Sequence, residues 1–382
     1  EERIFGFMRV WNDVEPYFST MNRWLILLVA FTCISCARES CDDGKLNQDE
    51  IRIDCGGASC DLCPTCFDGI QNQDELDTDC GGVCNACPPI WVEVSSGVNV
   101  SLNSIAFENE SDGFIVGDQG TLLASSDGGK TWTKRALSTT ADINAIQFAG
   151  NNNVYLVGDR VLMESTDGGT SWSEISLPLQ QNWKTLWFFG DEKGLIAGSD
   201  MTVLRTTDGG DSWLDRSPNS NSRNDIVSAH FTTSNSGYLV GNGSIYLTSS
   251  GGGFWVETFA FDVGNSRIVF DEVTDVYFAN ENRGFLCTSV GILVSESSIW
   301  LDKNIPVRNG FIDMNGSAGL YAGLRQSGNE GVIYFSSDNG IIWKEENFPS
   351  AVQGVTDVEQ VDEVTGLIVN DEGRIFLRQN PF

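Results

Sequence analysis

Eight of the eleven cysteines lie between Cys41 and Cys87 and repeat as two modules with similar intervals. The first holds Cys41, Cys55, Cys60 and Cys63, the second Cys66, Cys80, Cys84 and Cys87. Four thiols in a short segment either close two disulfides or hold a zinc ion, and the Cys60, Cys63, Cys66 and the Cys84, Cys87 intervals suit both. Modules of about 24 residues bury too little apolar surface to fold unaided, so a staple is expected. Spacing leaves the pairing open. Between its cysteines the first module carries Asp43, Asn47, Asp49, Glu50 and Asp54, and the second repeats them as Asp68, Asn72, Asp74, Glu75 and Asp79. Such oxygen-rich sets are what a hard cation requires, so calcium is the candidate cofactor, although the intervals are not those of an EF-hand. The alternative is a stapled acidic spacer without metal.

The compartment decides between disulfide and zinc. Met21, Asn22 and Arg23 precede an unbroken apolar run from Trp24 to Phe31, followed by Thr32, Cys33, Ile34, Ser35 and Cys36. The run is too short for a mature membrane span, and the order of positive, apolar and small residues predicts a secretory signal over 21–36. Ile34-Ser35-Cys36 resembles a bacterial lipobox, which implies that Cys36 becomes the lipidated first residue of a lipoprotein; an ordinary signal peptide is the alternative. Residue 1 is Glu and Met21 opens a complete signal, so residues 1–20 read as an upstream, non-native segment. Export favours disulfides over zinc in the modules at 41–88. The module pattern is similar to short modules of secreted bacterial and adhesin-like proteins, which agrees with export. The implied location is the bacterial cell envelope, periplasmic or surface-exposed, with membrane contact through the lipid anchor only.

What must position any site downstream is a repeat. Forty-one glycines, eleven tryptophans and twenty-two phenylalanines predict short strands joined by tight turns, an all-β chain. From residue 90 a period of about 42 residues is marked by SSDGGKTW at 125–132, STDGGTSW at 165–172 and TTDGGDSW at 206–213. Weaker copies are SSGGGFW at 249–255, SESSIW at 295–300 and SSDNGIIW at 336–343. Seven strand-like elements stand upstream of these positions, from GFIVG at 113–117 to GLIVN at 366–370. Val116, Val157, Ala197, Val240, Cys287, Ala322 and Val369 share one slot in them, which predicts Cys287 as a buried filler rather than a nucleophile. Each unit offers an inner strand, a second strand ending in Gly, a third before the block and a fourth beginning at Trp, and four antiparallel strands per radial repeat make a propeller blade. The seventh unit lacks its fourth strand, and Ile90–Val94, with Trp91 one period before Trp132, is placed to supply it. The expectation is a seven-bladed β-propeller over 90–380 whose N-terminal strand closes the last blade and removes both edges.

The DGG block suits a turn with positive φ whose Asp accepts the turn's own N–H groups, followed by a Trp to bury between blades. It resembles the Asp-box (BNR repeat) of sialidases, sortilin-type receptors and the photosystem II assembly and stability factor family, and its spacing is most similar to the last, a seven-bladed family. The resemblance covers residues 90–380 and implies structural roles for Asp127, Trp132, Asp167, Trp172, Asp208, Trp213, Asp338 and Trp343.

Catalytic constellations are sparse. No Ser-His-Asp set, phosphate-cradling loop or histidine cluster occurs. The single histidine, His230, falls in the inner-strand slot of Ala106, Gln147 and Trp187, where packing or channel lining is expected. A sialidase-like glycoside hydrolase would need an arginine cluster, and Arg205, Arg216, Arg223, Arg267, Arg283, Arg308 and Arg325 are spread over several repeats. The net charge of −30 repels phosphate and excludes nucleic acid as a partner class. The long connections at 215–225 and 257–271 both follow fourth strands and should emerge on one face, where Arg216, Arg223 and Arg267 beside Phe259 and Phe261 form a candidate binding surface for a protein or glycan. The reading is a lipid-anchored binding or assembly scaffold rather than an enzyme, with the glycoside hydrolase as the alternative.

Overall fold

The computed structural model describes Gln71, Glu75, Cys80 and residues 87–380, apart from 151, 191, 220–223, 242, 261–265, 281, 297–298, 303–306, 326–330 and 347–352. Two compact units divide at Cys87/Pro88. In the first, Cys80 and Cys87 form a disulfide with Cα atoms 4.8 Å apart. Glu75 is buried, and its carbonyl accepts from Gln71 Nε2 at 3.2 Å. The signal segment and Cys36 lie outside the described residues, as do the module cysteines Cys41, Cys55, Cys60, Cys63, Cys66 and Cys84. So do nine of the ten proposed calcium ligands: Asp43, Asn47, Asp49, Glu50 and Asp54 of the first module, and Asp68, Asn72, Asp74 and Asp79 of the second. Among the described residues, no three acidic, His or Cys side chains group as a metal would need, and no helix is long and apolar enough to cross a membrane.

The second unit is the seven-bladed propeller. Of its seven four-stranded antiparallel sheets, six run from an inner to an outer strand through consecutive hairpins. The inner strands, in order of blades 1 to 7, are Leu102–Phe107, Ile143–Gly150, Trp183–Phe189, Ile226–Phe231, Val273–Asn280, Val307–Asn315 and Val355–Gln360. Blade 7 takes its outer strand from Ile90–Val94, which pairs antiparallel with Ile375–Gln379 and sets Trp91 opposite Arg378. Trp91 is buried, and its Nε1 donates to Glu346 Oε2 at 2.7 Å. The same carboxylate takes the Arg378 guanidinium at 2.8 Å, and that guanidinium lies 3.7 Å from the Phe335 ring centroid. One carboxylate of blade 6 thus clasps both outer strands of blade 7.

The glycines that open and close the second strand, both present in blades 1, 3 and 4, have a steric cause. A Cβ on Gly237, at the start of a second strand, would stand 2.2 Å from the Phe231 ring, and one on Gly158, at the end, 2.0 Å from the Asp142 carbonyl oxygen. The first lets the inner strand's Phe fold over the sheet, and the second lets the chain entering the inner strand cross close by. The slot holding Cys287 is in register across all blades, and Cys287 is a fully buried free thiol.

The Asp-boxes carry their expected bonds. Asp167 accepts from the Ser171 N–H at 2.8 Å and its hydroxyl at 2.6 Å, while Ser165 Oγ donates to Asp167 at 2.8 Å and accepts from the Gly169 N–H at 2.8 Å. Asp127, Asp208 and Asp338 repeat the pattern, Asp338 without the hydroxyl because Ile342 replaces the Ser or Thr. In blade 4 Ser250 stands in the Asp position and accepts from the Phe254 N–H at 3.0 Å. Two expectations need correction. The short fourth strands of blades 1 to 3 start one residue after the tryptophan, at Thr133, Ser173 and Leu214; in blades 1 and 2 the indole N–H is turned back to the box carbonyl of Gly129 or Gly169. The segment 295–300 is not a box: Gly291–Glu296 pairs directly with Ile299–Asp302 as a hairpin. Trp213, Trp255 and Trp300 are buried, whereas Trp132, Trp172 and Trp343 are half-buried.

Candidate functional site

Around the axis the inner strands are neighbours, and each would leave its channel edge unpaired. Side chains satisfy those edges across the blades. Asn103 and Asn144 donate to the carbonyls of Ile143 and Trp183 in the next blade at 2.8 and 2.6 Å, Thr274 does so to Gly310 at 2.7 Å, and Thr356 bonds the Leu102 carbonyl across the ring closure. One residue on, Asp275 and Asp357 accept the N–H groups of Ile312 and Ile105 at 3.0 and 2.9 Å. Two residues further, Gln147, Asp313 and Glu359 accept those of Phe188, Gln360 and Phe107 at 2.8, 2.8 and 3.1 Å.

These rungs place four carboxylates toward the channel on blades 5 to 7. Burial pushes Asp275 above the ordinary carboxylate range. Burial, with repulsion from Asp275, pushes Asp357 up to about 8. Burial also raises Asp313 and Glu359, and Glu359 feels Asp313 and Asp357. On blades 3 to 5 the tilted rings of Trp187, His230 and Tyr277 pack in a row with centroids 4.6 and 4.7 Å apart. Burial lowers His230 to about 3, so the ring is neutral at physiological pH and serves as channel packing.

The axis opens on the face where the inner strands begin. A cavity of about 390 Å³ there is lined by all seven blades, among them Asn103, Asn144, Lys184, Asp275, Phe311 and Asp357. The connections after the fourth strands emerge on this same face, beside the tight turns between second and third strands; Asp225, for example, accepts from the Asp200 N–H at 3.3 Å. Arg216 is half-buried, with its Nη1 on the Asp215 carbonyl at 2.9 Å. Exposed Arg267 lies 3.8 Å from the Phe259 ring centroid, in a loop closed by the Ile268 N–H to the Ala260 carbonyl at 2.9 Å. Arg223 and Phe261 lie outside the described residues. Arg205 and Arg283 are drawn to the opposite face, where they donate to the turn carbonyls of Gly251 and Gly340 at 2.6 and 2.8 Å. Among the described residues no arginine lines the axial cavity.

Asp275, Asp313, Asp357, Glu359 and Phe311 were not singled out in the sequence. The signal was there: the tetrapeptide VTDV occurs at 273–276 and again at 355–358, two blades apart, in the same inner-strand register.

The family model described as "Photosynthesis system II assembly factor YCF48" matches residues 85–181 and 172–266. A curated relative, the photosystem II assembly lipoprotein Ycf48 of Nostoc sp. strain PCC 7120, is 33% identical over 129 residues, 32% of this chain and 38% of the relative. Alignments with two further relatives of that name span 39% and 20% of their lengths, so the chain matches well under half of each. A solved structure, YCF48 bound to D1 peptide, superposes with a TM-score of 0.59 at 19% identity, covering 77% of this chain and 98% of that one. The GH74 xyloglucanase of Xanthomonas campestris superposes with a TM-score of 0.61 at 16% identity, covering 77% of this chain and 54% of that one. At such identities both structures speak to the fold alone. The chain is an Asp-box, seven-bladed propeller similar to the photosystem II assembly factor family.

Proposed function

We propose that this chain, whose residues 85–266 match the assembly-factor family, is a protein-binding scaffold that holds a segment of its partner on the face carrying the axial cavity. The family match carries the reading: the relatives are named assembly proteins rather than enzymes, and the solved YCF48 is bound to a peptide. The face has the features recognition needs, since loops of unequal length are set on a rigid ring, with Arg267 against Phe259 in one connection and Arg216 in another. A cationic and aromatic rim on a protein of net charge −30 would steer an acidic or carboxylate-ended segment to that spot. Lipidation at Cys36 would tether the scaffold to a bacterial membrane, as the names of the lipoprotein relatives suggest, and the stapled modules at 41–88 would act as spacer, with or without calcium. The test is a crosslinking pull-down of the full chain from its native membrane, in calcium and in chelator, with the wild type beside Arg216→Glu/Arg267→Glu. A stoichiometric protein partner that the double variant loses is the expected result. Retention of every partner by that variant would remove the arginines from the site, and recovery of none by the wild type would overturn the scaffold reading.

A further inference from the structure

One arc of the axial cavity carries Asp275, Phe311 and Asp357, which occupy the same rung of three consecutive inner strands. The other four strands present Ser104, Ala145, Thr185 and Ser228 at that rung. A carboxylate, a phenyl ring and a second carboxylate therefore face a wall of small side chains across an open space. The phenyl is the one aromatic side chain among the cavity's lining residues, and it is only half-buried.

The two carboxyl groups are hydrogen-bonded but have no cationic partner among the described residues. Asp275 accepts from the Val276 and Ile312 N–H groups and the Ser228 hydroxyl at 2.8, 3.0 and 2.7 Å. Asp357 accepts from the Val358 and Ile105 N–H groups, both at 2.9 Å. Neither forms an ion pair with a described residue, and repulsion between them adds to burial in raising Asp357. Lys184, the one base lining the cavity among the described residues, stands two blades from Asp275, and Glu272 at the rim takes the Asn309 amide at 3.0 Å. The rung below adds Asp313 and Glu359, again acidic. Two unpaired carboxylates in a low-dielectric recess are short of a positive charge, and a phenyl face between them attracts the same kind of group.

We propose that the axial cavity receives one cationic side chain, a lysine or arginine, from the bound protein segment, with Asp275 and Asp357 paired to its charge and Phe311 packed against it. This rests on the protein-binding reading but uses residues distinct from the arginine rim. An acidic segment bearing one central basic residue would engage both.

The test needs no partner. The full chain is titrated with N-acetyl-arginine methylamide and with its neutral isostere N-acetyl-citrulline methylamide, followed by calorimetry and by NMR shifts of the Ile105 and Ile312 amides. The arginine probe should bind at least about tenfold more tightly, the size of one charge-assisted hydrogen bond, and shift both amides. Binding should tighten from pH 6 to 8.5, because the cation must displace protons that the carboxylates hold. Asp357→Asn retains an acceptor for the Ile105 N–H and should abolish the discrimination in a chain that melts cooperatively. Equal binding of the two probes by the wild type, which requires no variant to fold, would overturn the proposal even if a partner is recovered by pull-down. Discrimination without any recovered partner would leave the cavity site standing and count against the scaffold reading.

Discussion

At the scale of single residues, the Asp-box carboxylates are anchors of turns, and their titration should say so. Asp167 is held down to about 2 from its ordinary 3.8, first by the Ser171 hydroxyl and then by the Ser171 N–H and Ser165. A lowered carboxylate contributes stability above its unfolded value and loses it as pH falls through the folded one. Asp167→Ala should therefore melt below the wild type at pH 7, and the gap should close between about pH 4 and 2. Carbon-detected NMR should put the Asp167 midpoint near 2; a midpoint at the ordinary value would mean the box bonds are not formed in solution. The buried partner matters as well. Ser165 lies within the sheet at 1% exposure, and Ser165→Ala strands the Gly169 N–H, which should cost about 1–3 kcal/mol by urea unfolding.

Strands and turns explain why the repeat could be read at all. The blade needs Gly wherever backbone passes backbone, so Gly158→Ala, with a carbonyl oxygen 2.0 Å from the new Cβ, should cost about 3 kcal/mol or more. Gly168→Ala, at φ +70° with nothing within 4 Å, should cost only the left-handed penalty of about 1–2 kcal/mol. Equal losses in the two would show that conformation rather than close approach selects these glycines. Such steric demands recur in blades 1 to 4, which is why GFIVG, VYLVG and GYLVG stood out beside the DGG blocks and, with the weaker later copies, gave the blade number and the closing strand. The channel was illegible for the opposite reason. Its register is carried by the inner strands, and those vary: Gln360 replaces the terminal Phe in blade 7, Met314 replaces it in blade 6, and a bulge between Arg308 and Phe311 shifts the count. With the terminal Phe lost in two of seven blades, only the repeated VTDV tied Asp357 to the slot of Asp275, and no such repeat set Asp313 opposite Gln147. The rim was half legible: Arg267 stacking on Phe259 follows from their loop, but Arg216 turning onto its neighbour's carbonyl depends on contacts that no spacing encodes.

For the molecule as a whole, two features control how the ring holds. Trp91→Ala should cost about 3–5 kcal/mol, the usual figure for a buried Trp, and should also break cooperativity, because the indole and Arg378 share Glu346 across the closure. Calorimetry would then show two transitions or a broadened one, where an unaltered single transition would mean the ring does not depend on that clasp. The second feature is the acidic channel, and its pH dependence runs opposite to that of the boxes. Asp357 is raised to about 8 by burial and by Asp275, and Asp275, Asp313 and Glu359 are raised with it. A group with a raised folded pKa binds more protons folded than unfolded, so its stabilising term is fully present below about pH 4 and is lost as pH climbs through 7 to 8. The titratable groups near these four include Tyr277, Tyr321 and Cys287, all raised, neutral His230 and the remote Lys184, none of which supplies a counter-charge. The general charge of −30 acts in the same sense, since protonation relieves self-repulsion. The melting temperature should thus be highest near pH 4–6 and decline toward pH 8.5, with the acid limb below 4 set by the Asp-boxes. Asp357→Asn/Glu359→Gln, which remove two of the charges while keeping an acceptor at each site, should flatten the alkaline decline and leave the acid limb unchanged. A melting temperature that rises from pH 5 to 8.5 in the wild type would mean that the channel carboxylates are already paired with a cation rather than with protons.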